Sequence, residues 1–264
     1  MMLTPVLVLF ASSMRIVSGA GPEVWRAISE QCNGMAQSPV NIVTKKMLPD
    51  ERLTPFDLIG YQDTFHGLLM NNGHTVQLDL PFGIKVKGGN LGVPYKALQL
   101  HLHWGKDGRS GSEHMIDGEQ FPMEAEVSLS ANKKFDPLIN ALKDITLPRN
   151  STTLKGVSLE MLIPPQKNMT KYFRYDGSLT TPDCAESVVW TLFENTIPLS
   201  RTQLTAFYQL QFLNGEQMVN TYRPLQPLNR RQVYYSGGHV AVVSAALLIV
   251  SMLVSSALCL HATG

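Results

Sequence analysis

The segment Leu98-Gln99-Leu100-His101-Leu102-His103-Trp104 constrains the fold of this chain more than any other part of it. Apolar and polar residues alternate along it, which is the period of a β-strand whose successive side chains point to opposite faces. His101 and His103 therefore share one face. Two imidazoles on a rigid strand are a candidate pair of nitrogen ligands for zinc, and the same spacing also fits two polar residues on an exposed strand face.

Length and charge limit the classes of protein to consider. With 264 residues, 44% of them hydrophobic, the chain can bury one sizeable core, and its length does not require two domains. Its 22 basic and 21 acidic residues give a net charge of +1. Because so balanced a chain has no basic field to gather a polyanion, we expect one main domain and no nucleic-acid partner.

Both ends of the chain have the pattern of processing signals. Residues 3–17 are largely apolar and run into the small residues Ser18-Gly19-Ala20, which predicts a signal peptide over residues 1–20. The charged region before the apolar run is weak, so an uncleaved segment or a misassigned start is the alternative. Residues 240–260 carry no charge, are long enough to span a bilayer, and are followed by no Lys or Arg. This favours a lipid-anchor (GPI) signal over residues 237–264 and a location on the extracellular face of the plasma membrane, with a single-pass transmembrane anchor as the alternative.

The cysteines agree with a secretory route. Of the three, Cys259 lies in the predicted anchor signal, which leaves Cys32 and Cys184 as one even pair in the mature chain. We expect a disulfide between them, with two unpaired buried thiols as the alternative. Sequons begin at Asn150 and Asn168, which are therefore candidate glycosylation sites.

Six short motifs occur in a fixed order, and together they resemble the alpha-class carbonic anhydrases, in particular the extracellular membrane-anchored branch. The motifs are residues 37–42, 71–74, 99–105, 111–114, 177–182 and 222–228. The resemblance implies a mainly β domain over residues 21–236, built around a large, mostly antiparallel, twisted central sheet with short helices on its surface. It also implies an enzyme that hydrates carbon dioxide reversibly to bicarbonate and a proton with Zn²⁺ as cofactor.

The resemblance assigns a metal centre to named residues of this chain. It makes His101 and His103 two of three zinc ligands. Gln99 and Glu124 become the acceptors that fix the orientation of the imidazoles, a role that metal-bound histidine calls for in any case. His114 resembles a structural residue, and we expect a structural role for Arg223 as well.

Three further residues are similar to the catalytic groups of the family. Thr180 resembles the hydroxyl that orients the attacking hydroxide and donates its own proton to Glu113. His74 resembles the proton shuttle, a task that suits an imidazole because it titrates near neutrality. The positions that would line the pocket for carbon dioxide are Leu179, Thr180, Thr181 and Val188.

The chain departs from the family pattern where the third histidine belongs. The family strand reads Glu-x-His, whereas this chain reads Glu124-Ala125-Glu126, and residues 130–138 then resemble a later part of the family. This pattern predicts a deleted block that includes internal strands. Glu126 is the candidate third ligand, because zinc sites of two histidines and a carboxylate exist in other enzymes.

The missing block leaves two hypotheses on function open. One is a carbonic anhydrase with impaired activity. The other is a non-catalytic carbonic anhydrase-like binding or decoy domain at the cell surface. A truncated product that folds poorly is a third outcome, because removing core strands exposes sheet edges.

Overall fold

The computed structural model describes residues 21–106, 108–124 and 132–237, together with the backbone of three short strands, Met2–Leu3, Val6–Leu9 and Glu126–Val127. The boundaries predicted for the signal peptide and for the anchor signal remain predictions, since most of both segments lies outside these residues. Across the described parts of the chain, no helix combines the length and apolar character needed to cross a membrane.

Short strands make up most of the regular structure. They are β1 (Met2–Leu3), β2 (Val6–Leu9), β3 (Asn41–Ile42), β4 (Leu48–Pro49), β5 (Phe56–Ile59), β6 (Phe65–Asn71), β7 (Val76–Asp79), β8 (Lys85–Gly88), β9 (Tyr95–Lys96), β10 (Gln99–Leu102), β11 (Met115–Ile116), β12 (Glu119–Gln120), β13 (Glu126–Val127), β14 (Ser151–Val157), β15 (Tyr172–Gly177), β16 (Val188–Phe193), β17 (Ile197–Leu199) and β18 (Tyr234–Tyr235).

The described helices are all short. The α-helices are α1 (Trp25–Ile28), α2 (Asp136–Ala141), α3 (Leu159–Leu162) and α4 (Arg201–Phe207). The 3₁₀ turns are Pro22–Val24, Glu30–Asn33, Thr44–Lys46, Lys133–Phe135, Leu142–Ile145 and Gln166–Asn168. These elements confirm a mainly β fold with short helices, as expected.

The strands pair mostly antiparallel and lie in several sheets. One has the order β10-β7-β6-β14, and another has the order β2-β16-β15-β18-β4. Smaller groups are β12-β11-β3 and β5-β8-β9, while β1, β13 and β17 each pair with the other two. The strand predicted from the alternating segment is β10, whose register places His101 opposite Gln77 of β7. His103 follows the end of this strand directly.

The largest apolar cluster packs α2 and α4 against the sheet that carries β10. Leu102 of β10 and the adjacent Trp104 are buried in it, as are Leu138 of α2 and Phe207 of α4. The indole of Trp104 is wholly buried, and its Nε1 donates to the Met218 carbonyl at 2.7 Å. Fully burying such a side chain contributes roughly 1.5–3 kcal/mol, so this cluster fixes the backbone directly beside the two histidines.

Candidate metal and catalytic site

His101 and His103 lie side by side, as the alternation predicts. Their ring centroids are 5.0 Å apart and the ring planes are inclined at 77°. The Nδ1 atom of His103 is hydrogen-bonded to the backbone carbonyl of Thr221, a residue 118 positions later in the chain. An N–H on Nδ1 leaves the lone pair of His103 on Nε2. Anchoring of one ring nitrogen by a carbonyl is the arrangement that orients metal-binding histidines.

The buried carboxylate of Glu113 faces the same imidazole. Its Oε2 lies 3.5 Å from Nε2 of His103, and its Oε1 accepts a hydrogen bond of 3.0 Å from the backbone N–H of Arg223. The preceding Gly111 lets the backbone pass close to Pro122, because a Cβ at this position would collide with the Pro122 carbonyl. The turn at Gly111-Ser112, called here the Gly-Ser turn, therefore places Glu113 beside His103.

Burial keeps His101 neutral. Burial, and to a lesser extent the neighbouring His103, lower the pKa of this imidazole to about 3, while Glu124 acts in the opposite direction. A neutral imidazole is the form that binds metal, because the ligating nitrogen must be unprotonated. Among the described residues, neither His101 nor the predicted orienting residue Gln99 makes a side-chain hydrogen bond.

Glu124 is engaged by its neighbours on the Gly-Ser turn. One of its carboxylate oxygens, Oε1, lies 3.1 Å from each of three groups, the backbone N–H groups of Glu113 and His114 and the Nδ1 atom of His114. Burial raises the pKa of Glu124, but the His114 hydrogen bond and nearby charges outweigh it, and the net shift is downward. The structure thus joins Glu124 to the histidine predicted to be structural.

The other side of His114 continues into a buried polar chain. Its Nε2 is hydrogen-bonded to the hydroxyl of Tyr175, which donates to Ser38 Oγ at 2.9 Å. Ser38 Oγ also accepts from the N–H of Ser178 at 3.1 Å. All these side chains are buried. This chain of hydrogen bonds links Glu124 to the loop that carries Thr180. No role of Tyr175, Ser38 or Thr221 was predicted from the sequence.

His74 sits in the tight connection between β6 and β7. The side chain of Asn72 accepts hydrogen bonds from the N–H groups of His74 and Thr75 at 3.0 and 2.9 Å, and Gly73 between them adopts φ +90°. Burial lowers the pKa of the His74 imidazole. Its Nε2 is buried and has no hydrogen-bond partner among the described residues, which leaves it available to a solvent molecule or ligand.

The predicted substrate wall lies on the loop after β15 and at the start of β16. Leu179, Thr180 and Val188 are buried, and the buried hydroxyl of Thr181 has no partner in the described part of the chain. No hydrogen bond joins Thr180 to Glu113 within that part. The oxygens of Glu113 face the Arg223 N–H and His103 instead.

The predicted disulfide is confirmed and braces this loop. Cys32 and Cys184 are bonded, with 4.9 Å between their Cα atoms. Gln37 Nε2 donates to the carbonyl of Cys184 at 3.1 Å, and Arg223 in turn donates to Oε1 of Gln37 at 2.9 Å. Arg223 is 3% exposed, which agrees with its expected structural role. The N-terminal helical region, the loop and the C-terminal segment are therefore tied together at one place.

The third ligand remains a prediction. Within residues 21–106, 108–124 and 132–237, no group of three His, Cys, Asp or Glu side chains is placed to hold a metal ion. The backbone of Glu126 pairs with Met2 and Pro198, and its side chain is outside the described atoms. Asn150 and Asn168 are both exposed, as glycosylation would require.

A mainly antiparallel β domain that presents two adjacent imidazoles, one of them oriented by a backbone carbonyl, beside a buried carboxylate defines a class of candidate metalloenzyme. The family comparison identifies the class more closely. The model of the family described as eukaryotic-type carbonic anhydrase matches residues 20–129 and 125–237, and the chain belongs to this family.

Individual relatives agree with the family assignment. Carbonic anhydrase 4 of Mus musculus is 38% identical over 270 residues, which cover 92% of this chain and 87% of the relative. Carbonic anhydrase 12 of Homo sapiens is 32% identical over 276 residues and covers 90% and 77%. Carbonic anhydrase 6 of Bos taurus is 32% identical over 246 residues and covers 79% and 75%.

Proposed function

We propose that this chain is a cell-surface carbonic anhydrase-type zinc protein with a reduced ligand set, and that its hydration of carbon dioxide is weak. The observation that carries the proposal is the imidazole pair. His103 is oriented through the Thr221 carbonyl, and His101 is kept neutral beside it at a ring distance of 5.0 Å. Two nitrogen ligands of the type that zinc prefers therefore lie together, one on β10 and one directly after its end.

Each candidate site residue has its own role in the proposed hydration of carbon dioxide. His101 and His103 would hold zinc, with the Glu126 carboxylate in the third position. Zinc, when bound, would act as a Lewis acid that acidifies water, as it does in carbonic anhydrases generally. Glu113 orients the reacting groups through its buried carboxylate, and His74 moves the proton out. Carbon dioxide would lie against Leu179, Thr180, Thr181 and Val188.

Two features of the comparisons support the loss of the third histidine with a deleted block. The family model matches in two pieces that meet at residues 125–129, where the sequence predicts the junction. The alignment to carbonic anhydrase 4 of Mus musculus extends over 270 residues, although only 92% of this 264-residue chain takes part. The relative therefore has residues for which this chain has no counterpart.

Zinc titration of the purified chain tests the ligand set. We expect substoichiometric zinc at metal concentrations that saturate a three-histidine site. Replacing Glu126 with Gln should weaken zinc binding by at least about tenfold, and Glu126→His should strengthen it and raise the hydration rate. His66→Gln is the matched control, because it removes an imidazole from an exposed strand position outside the site.

The refuting result is equally clear. Full zinc stoichiometry in the unmodified chain, with fast and sulfonamide-sensitive hydration that Glu126→Gln leaves unchanged, would show that another residue supplies the missing ligand. A loss of zinc in His66→Gln equal to that in the site variants would show that the assay reports on folding alone.

We also propose attachment to the extracellular face of the plasma membrane through a lipid anchor. The uncharged run of residues 240–260, the disulfide and the two exposed sequons support this location. Phosphatidylinositol-specific phospholipase should release the protein from cells. Retention of the protein together with its C-terminal residues would establish the transmembrane alternative.

A non-catalytic binding domain is the second candidate, and one observation favours it. The polar framework from Glu124 through His114 and Tyr175 to Ser38 is completed by protein groups alone. Because this framework needs no metal, the pocket can keep its shape without zinc. A melting temperature unchanged by chelators, in a chain with no hydratase activity at saturating zinc, would favour this candidate over the enzyme.

A further inference from the structure

The backbone of the N-terminal segment completes a sheet edge. β2 pairs antiparallel with β16, with Leu9 opposite Val189 and Val6 opposite Leu192. β1 pairs with both β13 and β17. The family match begins only at residue 20. The strands that cover these edges therefore come from outside the family domain.

β16 has the character of an interior strand. One edge pairs with β15 along its whole length. Both faces are covered, since Trp190 and Leu192 on one face and Thr191 and Phe193 on the other are each at most 4% exposed. Strands covered on both faces normally have a neighbour on each edge, because the second edge otherwise presents unpaired N–H and carbonyl groups in an apolar setting.

One of the strand edges that the N-terminal segment covers lies at the predicted deletion. The two pieces of the family match meet at residues 125–129, which include β13, and β13 is one of the strands that β1 contacts. A chain that lacks internal strands at this junction leaves neighbouring strands without partners. The segment Val6-Leu7-Val8-Leu9 suits the vacancy, because it is uncharged, free of Gly and Pro, and rich in residues that favour strands.

We propose that β16 is a strand-acceptor site and that residues Val6–Leu9 of the same chain are its occupant. The N-terminal segment has this role in the fold in a chain that keeps residues 1–20, because cleavage of the predicted signal peptide would remove β2 from β16. Main-chain hydrogen bonds supply most of the affinity in such strand addition, so the pairing needs no special side-chain pocket. The proposal does not depend on zinc or on hydratase activity.

Amide hydrogen exchange tests the assignment. The full chain and a chain that begins at Gly21 are refolded under oxidising conditions in detergent, where no signal peptidase acts. We expect the β2-facing amides of residues 189–192 to exchange at least about tenfold faster in the shorter chain, because they lose their ladder partners. A synthetic peptide of residues 1–20 should restore the protection, and the same peptide with Pro at positions 6, 7, 8 and 9 should not.

The remaining outcomes also decide for or against the proposal. Equal exchange in the two chains would show that β16 needs no donor strand, and equal restoration by both peptides would show that strand pairing is not responsible. A dimer of the shorter chain whose β16 amides stay protected in excess peptide would make a second copy the occupant. If the shorter chain does not fold alone, recovery of folded monomer with the unmodified peptide but not with the proline-containing peptide supports the proposal. Recovery with neither peptide overturns it.

Discussion

Replacing Tyr175 with Phe should destabilise the fold without touching the histidine pair. The substitution removes one oxygen from a residue that is 1% exposed. That oxygen is the shared partner of His114 Nε2 and Ser38 Oγ, so both groups lose a buried hydrogen bond at once. The aromatic ring remains, and with it the stacking against Trp190 at a centroid distance of 6.3 Å.

The size of the effect follows from what each group keeps. The ring of His114 retains only its hydrogen-bond contact to Glu124, so its Nε2 becomes an unsatisfied buried atom, which costs about 1–3 kcal/mol. Ser38 Oγ still accepts from the Ser178 N–H, so its loss lies at the lower end of that range. The expected total is about 2–4 kcal/mol in the free energy of unfolding.

Urea denaturation of the intact, disulfide-bonded protein measures this difference. The midpoint should fall while the slope stays constant, because the surface exposed on unfolding hardly changes. Tyr95→Phe is the matched control, since it removes the same atom from a partly buried tyrosine whose hydroxyl makes no hydrogen bond to another described residue. A change in Tyr175→Phe below about 0.5 kcal/mol, or equal to that of the control, would refute the network argument.

Two further expectations concern the disulfide and the histidine pair. Reducing the bond between Cys32 and Cys184, or replacing both residues with Ser, should lower the free energy of unfolding by roughly 3–5 kcal/mol, because it closes a loop with a sequence separation of 152, whereas Cys259→Ser should change nothing. For His101, the folded-state pKa lies near 3 and the unfolded value near 6.5, so the unfolded chain alone takes up the proton between these values. Stability should therefore be complete above pH 6.5 and fall as pH drops toward 3, with a slope below about 1.4 kcal/mol per pH unit because His101 keeps some exposure. His101→Gln should flatten this slope in a urea series over pH, and an unchanged slope would contradict the assignment.

The parts of the site that follow from local geometry were predictable. Alternation over seven residues predicted that His101 and His103 share a face, because the strand period is fixed by the backbone alone. Counting cysteines predicted the bond between Cys32 and Cys184. Short helices and a mainly antiparallel β fold followed from the resemblance, and the structure and the family match agree with both.

The parts that depend on distant backbone were not predictable. The acceptor for His103 is the carbonyl of Thr221, and a main-chain carbonyl has no signature in the sequence. Tyr175 and Ser38 are 137 positions apart in the sequence, and no motif of the sequence specifies the hydrogen bond between them. The pairing of β2 with β16 was not predicted for another reason. An apolar run has the same composition in a signal peptide as in a buried strand.

The tie between His103 and Thr221 has a consequence for the order in which the protein is made. A chain grows from its N-terminus at about 5–20 residues per second, so the 118 residues between these positions take roughly 6–24 s to synthesise. During that interval both histidines have left the site of synthesis, but His103 has no acceptor and Glu113 has no Arg223 N–H. A premature stop before Thr221 would therefore yield a chain that contains every candidate ligand but lacks the carbonyl that orients His103.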